Sequence, residues 1–430
     1  MAWKQSSSWS PTLLVLAILS SGFGSVAFAG EAPSPSTQAM AGVLSGPLTL
    51  EQAWALARRA NPLLKAAALE VEATQGALEQ SGVRDNPELS LSQEDTRKGY
   101  RTWTAQLDQP LDLSGRRQAS MKQAGTGVAI AEADRTLTQA VLRAELVRSY
   151  YTVLAAQERV ELAQRTRQLT GAARDAAAKR VAAGKVAPLE QTRAEVEQTA
   201  VTLEVSAAES ALRVAKTQLT AVLGMPRSDA FQLAGTLEPA EDDGLPDDPS
   251  LLALESPAYV RARRALEAAR AGGALEESRA WQQPTVSLGF AREEEAGRNR
   301  LIVGVKVPLP LFDRNRGATR EAYSRIEQAE AQLLATRSAV AADIYTARER
   351  LRTAREQAAH LQQQALPAAS QAYDLATRGY ALGKFSFLDV VDAQRSLIAI
   401  RQKYLDLVLE THLASADIDR LTGGRGEVCF

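Results

Sequence analysis

The 430-residue sequence repeats itself once, and this duplication limits the possible folds more than any other feature. Segments of the first half recur in the same order in the second half, at an offset of roughly 195 to 199 residues. A fixed period indicates a repeated structural unit, so we expect two copies of one unit, at residues 48–233 and 258–423. A linker rich in proline, glycine and acidic residues joins them at 234–257, and a short tail follows at 424–430. The matches include Asn86-Pro87-Glu88-Leu89-Ser90-Leu91 with Gln283-Pro284-Thr285-Val286-Ser287-Leu288, Gln109-Pro110-Leu111 with Val307-Pro308-Leu309, and Gly184-Lys185 with Gly383-Lys384.

The N-terminus is typical of a secretory signal peptide, which we place at residues 1–29. Lys4 supplies the positive charge, Leu13 to Leu19 the apolar stretch, and Ala27-Phe28-Ala29 the cleavage site. The alternative is a membrane anchor, but the apolar run is short for a span. A segment rich in proline, serine and threonine follows at 30–47, and we expect it to be disordered.

Charge and residue usage argue against several function classes. The 50 basic and 51 acidic residues nearly balance, so we expect no nucleic acid partner. Cys429 is the single cysteine and cannot form an intramolecular disulfide. His360 and His412 each stand alone on a helical stretch, where a packing or surface role is more common than metal binding. The sequence carries no phosphate-binding glycine loop, zinc-protease motif or nucleophile elbow. We therefore expect neither an enzyme nor a cofactor.

Two pairs of segments alternate apolar and polar residues with period two, and they predict four strands. We place them near residues 87–95, 102–111, 284–292 and 301–311. Each has about the length of a tilted strand that spans a membrane. No run of about eighteen apolar residues follows the signal, so a chain that crosses a membrane must use these strands. The alternative is a small soluble sheet with one wet face. Because four strands cannot close a barrel in lipid, the membrane interpretation requires several chains.

The rest of the chain predicts long helices, so the expected fold class is α+β and mostly α. No proline interrupts Arg116 to Ala182, a stretch that would extend on the order of 100 Å as one helix. Apolar and small residues step by four and three along it, as they do along the last helix, which favours coiled-coil packing. The expected seams are Leu142, Leu146, Ser149, Val153, Ala156, Val160 and Ala163, and Leu397, Ile400, Tyr404, Leu407, Thr411, Ala414, Ile418 and Leu421.

Both long helices reverse direction at a short link that contains glycine, and we call these links the tips. The apolar side chains of Leu382, Phe385 and Phe387 have no evident core to enter, so they are expected to be exposed and to dock a partner. The alternative is a hairpin that simply closes its own end. The candidate docking residues are Val181, Gly184 and Lys185 in the first tip and Leu382, Gly383, Lys384, Phe385 and Phe387 in the second.

From about Leu48 to Gly423, the order of helices, strand pair and helical hairpin resembles the TolC-like outer membrane factors. Finer motifs resemble the cobalt-zinc-cadmium resistance branch, among them Val307-Pro308-Leu309-Pro310-Leu311-Phe312-Asp313-Arg314-Asn315 and Gly383-Lys384-Phe385-Ser386-Phe387-Leu388-Asp389-Val390-Val391-Asp392-Ala393-Gln394. The resemblance implies a homotrimer in outer membrane lipid, with a twelve-stranded barrel above a periplasmic helical tunnel. It also implies two partners: a periplasmic adaptor (membrane fusion protein) that meets the tips, and an inner-membrane resistance-nodulation-division pump that supplies the energy.

The resemblance further implies that Asp389 and Asp392 line the periplasmic constriction of the tunnel. The alternative for Asp389 is a helix cap, since a carboxylate is favourable in a first helical turn. The chain departs from well-known members at Phe385, where they carry a basic latch residue. The expected cargo is a divalent metal cation of the cobalt, zinc, cadmium and nickel class. Drug efflux, type I protein secretion and a soluble periplasmic adaptor are the alternatives.

Overall fold

The computed structural model describes residues 47–225, 231–241, 244–246 and 248–424. The predicted signal peptide at 1–29, residues 30–46 of the segment that we expected to be disordered, and residues 425–430 of the tail lie outside this part of the chain. Cys429 lies outside it as well.

The described residues form the same series of elements twice. In each copy two helices precede a pair of strands and a long helical hairpin follows, and the first of the two helices is much shorter in the second copy. The first copy contains α1 (Leu50–Ala60), α2 (Pro62–Ser81), β1 (Glu88–Glu94), β2 (Thr102–Pro110), α3 (Arg116–Ala182) and α4 (Pro188–Val222). The second contains α5 (Pro249–Ala253), α6 (Pro257–Arg279), β3 (Thr285–Glu293), β4 (Arg298–Lys306), α7 (Arg316–His360), α8 (Leu366–Ala381) and α9 (Phe387–Thr422).

Local sequence signals set the first helix boundaries. Thr49 and Gln52 form a capping box at the start of α1, each bonding the other's backbone. Asn61 ends α1 and caps α2, where its side chain accepts a 2.8 Å hydrogen bond from the Leu63 amide. Its amide group also donates to the Val222 carbonyl oxygen at 2.8 Å, which fastens this corner to the end of α4.

Helix α3 runs unbroken for 67 residues, as the absence of proline predicted. At ~1.5 Å per residue it is about 100 Å long. The predicted seams are largely confirmed, because Leu142, Leu146 and Val153 are buried and Val160 is half-buried. In α9 the seam is buried at Leu397 and from Leu407 onward, and half-buried at Ile400 and Tyr404. Small side chains along these seams let the helices lie close together.

The first helix of the second hairpin contains a π-helical turn at Leu361–Ala365, between α7 and α8. Pro367 lies directly after it, as the second residue of α8. A proline has no amide hydrogen and its ring would clash with the carbonyl of Gln363 in a regular helix. The wider turn accommodates this proline, and α3 has no counterpart to it.

The four strands form one antiparallel sheet in the order β1-β2-β3-β4. Across the sheet, Leu89 faces Leu107, Leu107 faces Leu288, and Leu288 faces Val303, so one face carries a row of exposed apolar side chains. The other face is mostly small or polar, with Ser90 opposite Gln106 and Gln106 opposite Gly289. No strand among the described residues pairs with the outer edges of β1 and β4.

The strand boundaries differ from the prediction most at β4. This strand spans Arg298–Lys306 rather than 301–311, because a tight turn at 294–297 with Gly297 at φ 59° joins it to β3. The connection between β3 and β4 is therefore 294–297, shorter than the gap of 293–300 between the two predicted strands. The strand ends before Pro308 and Pro310, which have no amide hydrogen for a ladder. The other three strands match within about two residues.

The inter-repeat linker is packed against the helices, although its sequence is rich in proline, glycine and acidic residues. Its helix α5 buries Leu252 and Ala253 in a cluster with Ile344 of α7 and Ile418 of α9. Ahead of it, Leu233 forms a parallel β-bridge with Leu48. The composition of the linker is dominated by acidic and turn-forming residues. For this reason it did not indicate that individual apolar residues such as Leu252 and Leu233 would be buried.

Candidate functional site at the hairpin tips

Both tips are built by the same helix-ending turn. Gly184 and Gly383 adopt the left-handed conformation, with φ of 67° and 74°. The next amide reaches back to the last turn of the helix, from Lys185 to the Arg180 carbonyl at 2.9 Å and from Lys384 to the Gly379 carbonyl at 2.8 Å. This is a Schellman motif, for which glycine is favoured because it has no Cβ.

The return helices begin differently in the two copies. In the second tip, Ser386 and Asp389 form a capping box, and the Asp389 carboxylate accepts hydrogen bonds from the Ser386 amide at 2.7 Å and hydroxyl at 2.8 Å. The hydroxyl bond and then the amide bond lower the pKa of Asp389. In the first tip, α4 starts at Pro188 and has no side-chain cap. The structure thus gives Asp389 the capping role.

Phe387 is buried, which corrects the expectation that it is exposed at the tip. Its side chain is 4% exposed and packs with Ala177 of α3, Ala194 of α4 and Val391. Phe387 is the first residue of α9, and Val391 follows it by one turn on the same face. The spacing of Phe387, Val391 and Gln394 was a helical signal for burial in the sequence.

The other candidate tip residues are exposed or half-buried, as a docking surface requires. Leu382 is 73% and Phe385 50% exposed. Lys185 and Lys384 are exposed beside the two glycines, and Val181 is half-buried. A Cβ on Gly379 would lie 2.1 Å from Cδ2 of Phe385, so the Phe385 ring rests directly on the backbone of Gly379.

Three residues that sequence reasoning did not bring together link the two tips. The Arg180 guanidinium lies over the Tyr380 ring, 4.3 Å from its centre, and donates to the Tyr380 carbonyl at 3.1 Å. The Tyr380 hydroxyl donates to Oε2 of Glu190 at 3.3 Å. Burial and the Glu190 charge raise the pKa of Tyr380. Arg180 of the first copy aligns with Gly379 of the second copy. This difference between the copies was the sequence signal that could have indicated a contact of Arg180 between the tips.

Two further contacts hold the hairpins side by side behind the tips. Arg395 of α9 pairs with Glu197 of α4 at 2.5 Å, and Gln402 donates to Glu204 at 2.6 Å. Asp392 is exposed one turn before Arg395. The hydrogen bond and charge of Glu197 raise the pKa of Arg395 most, and the negative charge of Asp392 raises it further.

The two histidines occupy opposite environments. His412 is buried, stacks on Tyr151 with ring centres 3.4 Å apart, and donates from Nε2 to the Glu238 carbonyl at 2.6 Å. Burial lowers the pKa of His412 to about 4. His360 is exposed at the end of α7. Within the described ranges, no three His, Cys, Asp or Glu side chains come together as metal ligands.

Among the helices that the structure describes, none combines the length and apolar character needed to cross a membrane.

Comparison with known proteins identifies the family to which this chain belongs. The family model described as outer membrane efflux protein matches residues 54–225 and 249–424, one block for each copy. The cobalt-zinc-cadmium resistance protein CzcC of Cupriavidus metallidurans is 38% identical over 384 residues, which covers 88% of this chain and 91% of CzcC. The nickel and cobalt resistance protein CnrC of the same organism is 29% identical over 67% of this chain and 68% of CnrC.

Solved structures share the fold at low sequence identity. A structure of CusC aligns with a TM-score of 0.75 and 20% identity, covering 87% of this chain and 92% of CusC. The open-state MtrE outer membrane channel of Neisseria gonorrhoeae aligns with a TM-score of 0.73 and 20% identity, covering 87% of this chain and 89% of MtrE. The chain belongs to the outer membrane efflux protein family, as a TolC-like outer membrane factor similar to the cobalt-zinc-cadmium resistance branch.

Proposed function

We propose that three copies of this chain form the outer membrane channel of a tripartite efflux system that exports divalent heavy-metal cations. The observation that carries the metal assignment is the similarity to CzcC, which extends over nearly the full length of both chains. The channel itself is passive: it needs no catalytic group, since an inner-membrane resistance-nodulation-division pump supplies the energy. A conduit must also release what it admits, so tight metal sites would impede export.

The sheet supports assembly into a ring. Its apolar face exposes Leu91, Leu288 and Val303, which suits contact with outer membrane lipid. Its two unpaired edges would leave backbone groups without partners in hydrocarbon. Three chains would pool twelve strands and close the barrel, joining β4 of one chain to β1 of the next.

The duplication also predicts which residues of β4 and β1 face each other where two chains meet. Inside one chain, β2 of the first copy pairs with β3 of the second, and Leu107 faces Leu288. Val305 is the repeat counterpart of Leu107, and Leu91 is the counterpart of Leu288. If the joint between chains copies the joint between repeats, Val305 of one chain faces Leu91 of the next.

Cysteine pairing tests this ring. In a Cys429→Ser background, Val305→Cys with Leu91→Cys is expected to give disulfide-linked trimers under mild oxidation. The matched control is Val305→Cys with Leu89→Cys, where diagonal neighbours stand about 7–8 Å apart and cross-link poorly. Equal cross-linking of both pairs, or linkage only to dimers, would contradict the proposed closure.

The tips would dock the helical hairpins of the periplasmic adaptor. Leu382 and Phe385 would provide apolar contacts, and Lys185 and Lys384 would provide positive charge. Gly184 and Gly383 keep the turns narrow, and Val181 lies beside them. Phe387 would support this surface from within. Leu382→Asp is expected to reduce adaptor co-purification, whereas Leu69→Asp, at an exposed leucine of α2, is the control and should retain it.

Asp389 and Asp392 would form carboxylate rings at the periplasmic constriction, six charges in a trimer. Such rings attract cations into the narrowest part of a pore. The capping role of Asp389 is compatible with this position, because the capped carboxylate keeps its negative charge. Asp392→Asn is expected to lower metal export without loss of folded trimer.

The decisive experiment is a strain that lacks only this chain. We expect increased sensitivity to cobalt, zinc, cadmium or nickel and increased cell-associated metal, both restored by the wild-type gene. A parallel drug panel provides the control. Unchanged metal handling together with new drug sensitivity would retain the channel and overturn the metal assignment.

A further inference from the structure

A basic cavity of about 510 Å³ lies between the end of α6 and the start of α7, just beyond the last strand. Arg314, Arg316 and Arg320 line it, together with Glu277 and Tyr323. The cavity is open at the surface of the chain. Neither the proposed export path nor the tips use these residues.

The charges in this cavity favour an anion. Three guanidinium groups stand against one carboxylate, and that carboxylate, of Glu277, already accepts the Tyr323 hydroxyl. Arg314 donates from Nε to the Pro310 carbonyl at 3.1 Å, which leaves its terminal nitrogens available. Arg316 and Arg320 have no ion-pair partner within the described ranges. Arginine forks match the oxygen geometry of a phosphate group.

Exposed apolar side chains lie close in sequence to the residues that line the cavity. Phe312 is fully exposed, and Leu309 and Leu311 are largely exposed. All three follow the end of β4, and Leu309 and Leu311 keep the alternate spacing of Val303 and Val305 in the sequence. Trp281, also exposed, comes directly after Ala280 of the cavity wall. Apolar and aromatic groups next to arginines are typical of the boundary between lipid chains and headgroups.

The corresponding junction of the first copy forms a cavity that is less basic. Arg116 begins α3 as Arg316 begins α7. The cavity around Arg116 also contains Asp85 and Asp112, and Asp112 accepts hydrogen bonds from the backbone amides of Arg116 and Arg117. Two carboxylates thus stand against Arg84, Arg116 and Arg117 in the first copy, whereas one carboxylate stands against three arginines in the second.

We propose that Arg314, Arg316 and Arg320 bind the phosphate of an anionic glycerophospholipid, whose acyl chains lie along Phe312 and Leu311. The lipid belongs to the membrane leaflet on the helical side of the sheet, with one site in each chain. This inference rests on the proposed membrane position of the sheet. It extends the proposed function by naming a lipid class and its residues.

Lipid retention by the purified, detergent-solubilised full-length oligomer tests the site. Native mass spectrometry would count phosphatidylglycerol bound per chain during titration, with phosphatidylcholine as the zwitterionic comparison. Each arginine near an anionic lipid is worth about a fivefold change in affinity, so R316Q/R320Q is expected to weaken binding about twenty-fivefold. R316K/R320K keeps the charge and should retain much of the binding. R116Q is the matched control and should bind as the wild type does.

Three results would overturn the proposal: equal binding by R316Q/R320Q and R116Q, equal retention of phosphatidylcholine, or full competition by millimolar inorganic phosphate. The last would assign the cavity to free phosphate. Because binding is measured on purified protein, its failure is distinct from failure of metal export in cells. Thermal unfolding of each variant separates loss of the site from loss of the fold.

Discussion

The guanidinium group of Arg180 lies over the ring of Tyr380 and bonds the carbonyl oxygen of the same residue, so one side chain joins the two helical hairpins at their tips. We expect Arg180→Gln to loosen both tips. A cation–π contact of this kind is worth about 0.5–1 kcal/mol, which predicts a two- to fivefold faster amide hydrogen exchange at residues 181–188 and 379–386.

Arg174→Gln provides the control for this prediction. Arg174 lies on the same helix but pairs with its neighbour Asp175, and among the described residues it has no hydrogen bond or ion pair to the other hairpin. Unchanged exchange in Arg180→Gln, or an equal increase in Arg174→Gln, would show that the Arg180 contact does not hold the tips.

Gly379 tests how tightly the second tip is packed. Gly379→Ala places a methyl group against the Phe385 ring and is expected to cost about 1–3 kcal/mol locally, as overpacking does. Adding Phe385→Ala should relieve that cost. Gly76→Ala is the control, since a Cβ there meets nothing and alanine favours the helix by about 1 kcal/mol. Thermal unfolding and tip hydrogen exchange report both effects.

The Asp389 cap predicts a pH dependence at the start of α9. Because the folded pKa of Asp389 is lowered, its contribution is complete above the ordinary value of 3.8 and is lost as the pH falls through the lower folded value. Protection of the first turn of α9 should therefore persist at neutral pH and fall only in acid. Asp389→Asn should remove protection at every pH, whereas Asp392→Asn should preserve the acid transition.

His412 predicts a second pH effect with a different range. The unfolded chain binds a proton near pH 6.5, but burial lowers the pKa of folded His412 to about 4. Folded stability should therefore decline between these values by on the order of 3 kcal/mol and change no further below them. His412→Gln should flatten this part of the thermal-unfolding profile, and His360→Gln should leave it unchanged.

The two faces of the sheet should respond differently to charge. Val303→Lys places an ammonium group on the apolar face and should cost about 2–4 kcal/mol if that face meets the bilayer centre. Ser90→Lys places the same group on the polar face and should be tolerated. The amount of heat-modifiable oligomer in the outer membrane fraction measures the difference. Equal yields would contradict a lipid-facing Val303.

Long-range patterns in the sequence predicted the fold well. The duplication and the proline-free stretch before Ala182 specified two hairpins and an unbroken α3, because period and helix length follow from residue spacing alone. Boundaries that depend on one backbone turn, such as the start of β4 at Arg298, were missed by a few residues. Gly297 was visible, but the sequence did not show which residue would close the turn.

The candidate site was only partly predictable. The glycines and lysines of the tips followed from local turn chemistry, and Leu382 is exposed as expected. Phe387 was assigned to the wrong environment because its burial depends on Ala177 and Ala194 of the other hairpin. The Arg180, Tyr380 and Glu190 contacts likewise join distant parts of the chain, which no local pattern reports.

The π-helical turn at Leu361–Ala365 introduces a phase slip in the second hairpin. From Val340 to Ala358 the buried residues of α7 step by fours and threes, but the next one, Ala369, comes one residue later than an unbroken heptad would place it. The additional residue is absorbed in the wide turn, where Pro367 would have disrupted a regular helix in any case. One turn thus accommodates both irregularities, and the first helix of the second hairpin consists of two α-helical segments where α3 is one.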